Sequence, residues 1–91
     1  MQLKKREIER IFNKLKLQVK PTHHKIASLY YNGKFILTTR LSFGRGDIPG
    51  HITDKIRGQL YLNEEKFRDL VNCPLDYNGY ITILKGKGII Y

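Results

Sequence analysis

Ile8, Ile11, Phe12 and Leu15 recur at i, i+3, i+4 and i+7, the spacing that gathers apolar side chains on one side of an α-helix. They predict a helix from about Leu3 to Lys16, with Arg6, Arg10 and Lys14 lined up at i+4 steps on the opposite side as a cationic rail. The period then changes. Leu17 to Val19 reads as a short extended segment closed by Pro21, because the residue before a proline avoids the helical region. Asn32-Gly33 next separates two β-branched and aromatic runs, Lys25 to Tyr31 and Lys34 to Leu41, and predicts a β-hairpin on a type I′ turn. An unbulged two-residue hairpin sets Tyr30 against Phe35, Ser28 against Leu37, Ile26 against Thr39 and Lys25 against Arg40.

Beyond the hairpin, Ser42-Phe43-Gly44-Arg45-Gly46-Asp47 is a glycine-rich loop without P-loop spacing, best read as a connection. Asp47 and Pro49 open a helix with Ile52, Ile56 and Leu60 on one stripe to about Tyr61, and His51 in its exposed first turn. Asn63-Glu64-Glu65 caps a third helix whose apolar face is Phe67, Leu70 and Val71, up to Pro74. From Leu75 onward a second Asn-Gly pair, Asn78-Gly79, and the runs Tyr80 to Leu84 and Ile89 to Tyr91 read as β-strands, free to extend the sheet or to pair with a second copy as a homodimer. The resulting expectation is an α+β fold. It has a small antiparallel sheet with helices on one face in the order α-β-β-β-α-α over residues 1–74, and residues 75–91 as a β-rich extension of the same domain.

Ninety-one residues make one domain with a modest core, burying about 60 to 65% of the unfolded surface, so a large substrate pocket is not expected. Charge sharpens this. Seventeen Lys and Arg against eight Asp and Glu give a net +9, and residues 1–25 alone carry eight basic and two acidic side chains. Positive potential concentrated on one segment favours a polyanion, above all nucleic acid, through counterion release. The single cysteine, Cys73, excludes an internal disulfide, and no Cys or His spacing suggests a metal site, so neither metal nor cofactor is expected. No apolar run reaches the roughly 18 residues of a membrane span, and the expected compartment is the cytoplasm.

The stretch that carries candidate chemistry is Pro21-Thr22-His23-His24-Lys25. Imidazole takes and returns a proton near neutrality, and Lys20 and Lys25 place fixed positive charge beside the pair. Like charges at Lys25 and Arg40 on adjoining strands would be relieved by a bound phosphate. If the strand begins early enough, alternation sends His23 and His24 to opposite faces, so the two do not share one proton or one metal.

The order and spacing of three segments together resemble the HicA-type mRNA interferase toxins, whose small fold is like a double-stranded-RNA-binding domain. Pro21-Thr22-His23-His24 stands at that family's Gly-Ser/Thr-x-His signature, Asp47-Ile48-Pro49-Gly50 at its proline-glycine helix start, and Leu62-Asn63-Glu64-Glu65-Lys66-Phe67 at its closing run. The likeness spans roughly residues 5–71. It implies a metal-independent RNA endonuclease with His24 as the catalytic histidine, acting on mRNA and restrained by a HicB-like antitoxin. On that reading Lys20, Thr22, His23, Lys25 and Arg40 adjoin the phosphate and the rail of Arg6, Arg10 and Lys14 holds the RNA backbone. His23 or His51 would serve as the acid for the leaving oxygen, with the sequence nominating neither, or water would suffice for a slow enzyme. Pro21 replaces the family's glycine, which removes an N–H, and Tyr61 replaces a small turn residue. Pro21 favours the alternative, an RNA- or DNA-binding module of the same fold without catalysis. A third reading, an assembly protein using its tail as a sheet edge, accounts for residues 75–91 but not for the histidines or the charge gradient.

Overall fold

The computed structural model describes residues 3–21, 24–42, 47–72 and 74–90. Two residues, Leu3–Lys4 (β1), precede the first helix, Lys5–Lys14 (α1). The hairpin sheet follows as Gln18–Pro21 (β2), His24–Tyr31 (β3) and Lys34–Ser42 (β4). Asp47–Ile48 (β5) pairs antiparallel with β1, which shortens the expected first helix at its start because Leu3 lies opposite Ile48 instead of in a helical turn. Three helices complete the chain: Gly50–Gln59 (α2), Glu64–Val71 (α3) and Tyr77–Gly86 (α4). The class is α+β, with β2, β3 and β4 forming one antiparallel sheet in that order.

The apolar positions predicted for α1 are all core: Ile8, Ile11, Phe12 and Leu15 are buried. Asn32 and Gly33 have φ of 52° and 78°, the left-handed pair a type I′ turn requires. Asn63 caps α3, its side-chain oxygen accepting from Lys66 N–H at 2.8 Å, as Asn63-Glu64-Glu65 predicts.

Two expectations are corrected. The hairpin is bulged: Tyr30 pairs with Phe35, but Leu29 pairs with Leu37, so Ile36 is the extra residue on β4. Beyond it the register shifts by one, giving Ser28 opposite Thr38, Ile26 opposite Arg40 and Lys25 opposite Leu41. The cause is the core. Ala27, Leu29, Leu37, Thr39 and Leu41 are all buried, and they share one sheet face only in the shifted register. The expected pairing of Lys25 with Arg40 therefore does not form.

Residues 75–91 are not a β-rich extension. Their described part is helical, with Asp76 as N-cap accepting from Gly79 N–H at 2.8 Å. Tyr77, Tyr80, Ile81 and Leu84 fall at i, i+3, i+4 and i+7, and Tyr80, Ile81 and Leu84 join the single core that also holds Phe12, Leu29 and Phe67. Gly79 sits inside this helix, with Leu75 packed where its side chain would be. Gly88, at φ 76°, ends it in a Schellman motif: Ile89 N–H reaches Leu84 O and Gly88 N–H reaches Lys85 O. With no strand among the described residues of this segment, a homodimer through C-terminal strands loses its basis.

Candidate nucleic-acid interface

Among the described residues the helices pack on one face of the β2-β3-β4 sheet and leave the other open. Contacts fix which is which: Lys25 Nζ donates to Glu9 Oε2 of α1 at 2.6 Å, and buried Thr39 Oγ1 donates to Gln59 Oε1 of α2. Residues one step along from these lie on the outer side. Successive cross-strand rows there contain Lys20, Ile26 and Arg40, then Gln18, Ser28 and Thr38, then Tyr30 and Phe35. Lys20, Arg40, Gln18, Thr38, Tyr30 and Phe35 are exposed. Ser28 Oγ and Thr38 Oγ1 lie 3.2 Å apart, and the Tyr30 and Phe35 rings meet edge to face with centroids at 5.8 Å.

Lys20 and Arg40 thus share a row two strand spacings apart, about 10 Å at the backbone. Long cationic side chains flanking half-buried Ile26 make a positive strip across the sheet. His24 opens β3 opposite Ser42, one row along from Lys20 and Arg40 by strand alternation.

The predicted site residues divide accordingly. Lys20 and Arg40 come together on the open face, and His24 stands at the start of β3, paired with Ser42. Lys25 does not join them: it lies on the helix side, and its charge is offset by Glu9 in a pair with 23% and 37% side-chain exposure. The rail on α1 also divides. Arg6 and Arg10 are exposed, whereas Lys14 Nζ donates to Leu70 O at 3.0 Å, closing a carbonyl at the end of α3. His51 is exposed in the first turn of α2. Thr22 and His23 lie outside the described residues, as do residues 43–46 of the glycine-rich loop.

Sequence reasoning missed Glu9, whose role depends on a contact 16 residues away, and the polar row of Gln18, Ser28 and Thr38, which only the bulged register assembles. Among the described residues no group of three or more His, Cys, Asp or Glu is placed to hold a metal ion, and no helix is long and apolar enough to cross a membrane. Compared with family models, curated proteins and solved structures, the chain gives no match.

Proposed function

We propose that the protein is an RNA endonuclease of the HicA type, holding RNA on the open face of its sheet. His24 takes the proton of a ribose 2′-OH; the resulting alkoxide attacks the adjoining phosphorus, and the 5′-oxygen leaves with a proton from water or a second acid. Lys20 and Arg40 meet the charge that builds on the phosphoryl oxygens. The observation that carries this reading is the exposed row of Lys20 and Arg40, two pairings along from the backbone position of His24 at the start of β3. Arg6 and Arg10 add basic surface elsewhere on the molecule, fitting backbone contacts with little sequence preference. The protein on this reading works in the cytoplasm on mRNA, and a HicB-like antitoxin restrains it by covering the same open face.

A second reading is a module that binds RNA without cutting it. Lys25 favours it, since its pairing with Glu9 removes one of the cations expected at the phosphate.

The two are separated by incubating RNA with purified protein in excess chelator. Cleavage supports the nuclease, and binding without cleavage under any condition leaves the module. For either, Arg40→Gln and Lys20→Gln are each expected to lower the slope of log affinity against log salt by about 1, in fluorescence anisotropy titrations. Lys25→Gln is expected to change it by less than half as much, because Glu9 already offsets that charge. An effect of Lys25→Gln as large as that of Arg40→Gln would reject the assignment of faces.

A further inference from the structure

An open groove of about 500 Å³ runs along the outer edge of β4, with Phe35, Leu37 and Thr38 on one wall and Lys55, Gly58 and Tyr61 from the end of α2 on the other. β4 is an edge strand, so the groove continues directly from the sheet face that carries Lys20 and Arg40. One exposed aromatic stands on each wall, Phe35 at 56% and Tyr61 at 46% exposure.

Tyr61 is the informative residue. It follows α2 at φ 62°, in a Schellman motif where Tyr61 N–H reaches Gly58 O and Leu62 N–H reaches Arg57 O. Glycine holds the equivalent place after α4, at Gly88, because a left-handed φ crowds a side chain's Cβ against the backbone. A large aromatic therefore stands where the backbone favours glycine, and nearly half of it remains in solvent.

Two exposed aromatic side chains, one lysine and, among the described residues, no acidic group along the groove match the chemistry of a nucleotide: a flat base with an anion attached. We propose that this groove seats an unpaired base of bound RNA, with Phe35 and Tyr61 offering ring faces and Lys55 meeting the adjoining phosphate. The proposal rests on the RNA-binding reading above and adds to it a preference for single-stranded over fully paired segments. A paired base has both faces stacked in the helix and does not reach the groove.

The test uses two RNAs, an oligouridine of about 20 nucleotides and a blunt duplex of about 20 base pairs, both 2′-O-methylated so that attack by a 2′-OH is blocked. Three variants of the full chain are compared with the parent: Phe35→Ala, Tyr61→Gly and Gly58→Leu. Gly58→Leu fills the groove from inside α2, where nothing lies within 4 Å of an added Cβ. Tyr61→Gly relieves the left-handed φ, so its melting temperature is expected at or above that of the parent. Each variant is expected to lose about ten-fold in affinity for oligouridine and less than two-fold for the duplex.

Unchanged oligouridine affinity in all three, with the parent binding both RNAs, would overturn the base seat while leaving the RNA reading intact. A parent that binds neither RNA overturns the RNA reading and the seat with it. A parent that is dimeric by sedimentation and becomes monomeric on Gly58→Leu would assign the groove to a second copy of the chain instead.

Discussion

Replacing His24 with alanine is expected to slow RNA cleavage by about 10²- to 10⁴-fold, the range a positioned general base contributes. On the proposed function RNA affinity should change little, because Lys20, Arg40 and the basic surface would supply more phosphate contacts than one imidazole adds. The measurement is single-turnover cleavage of a labelled RNA alongside anisotropy binding, for the parent, His24→Ala and His24→Gln. His24→Gln retains hydrogen-bonding groups at that position but takes up no proton, so it should be as slow as the alanine variant. Cleavage by His24→Ala at the parental rate would refute the base assignment. A matching loss of RNA affinity would instead make His24 a binding residue.

The second large effect lies in the core. Tyr80 is fully buried, and its hydroxyl donates to Leu60 O at 2.9 Å, tying α4 to the end of α2. Tyr80→Ala is expected to destabilise the fold by about 3–5 kcal/mol, as for other large aromatics removed from a packed interior. For a domain of this size that is a large share of the total, and Tyr80→Ala should be unfolded or near its midpoint at 37 °C. Tyr80→Phe keeps the ring and loses only the hydrogen bond, leaving Leu60 O without that donor, at about 1–2 kcal/mol. Denaturant melts followed by circular dichroism measure both.

The same phenol gives a pH dependence. Burial, with a smaller repulsion from the Tyr61 phenol, pushes the Tyr80 hydroxyl well above the ordinary tyrosine range. In the folded state Tyr80 keeps its proton where the unfolded chain has lost it, so the folded state binds more protons at high pH. That part of the stability is complete below about pH 10, the unfolded tyrosine value, and is lost as pH rises from there toward the folded value. Tyr80→Phe should flatten the decline. A decline equally steep in Tyr80→Phe would assign it to other groups.

The helical face of α1, the type I′ turn and the Asn63 cap were legible because each depends on neighbours within about four residues. The bulge at Ile36 was not. A two-residue turn fixes the first pairs of a hairpin, but the choice between keeping that register and inserting a residue depends on which side chains the helices cover. With Ser28 set opposite Leu37, the two strands would present their apolar residues to opposite faces. The mismatch is visible in the sequence only when both strands are read against one core.

Composition misleads in the C-terminal segment for a related reason. Tyr80-Ile81-Thr82-Ile83 is rich in β-formers, and Asn78-Gly79 has the composition of a turn. Helical spacing of Tyr77, Tyr80, Ile81 and Leu84, between Asp76 as cap and Gly88 as stop, outweighs that composition once there is a core to receive the stripe. Tertiary burial overrides local propensity most readily in a short segment, where the propensity differences sum to little.

The chain's own residues determined the α+β class, three of the four helices among the described residues, the hairpin and the excess of positive charge, because periodicity and net charge are properties of neighbours along the backbone and of simple composition. Tertiary structure decided which cations act together. The core drew Ala27, Leu29, Leu37, Thr39 and Leu41 to one side, which turned Lys25 inward to Glu9 and set Lys20 in line with Arg40 on the other. A one-residue shift in strand register exchanges the two faces of a sheet, and the free energy that selects the register comes from burying side chains distant in sequence.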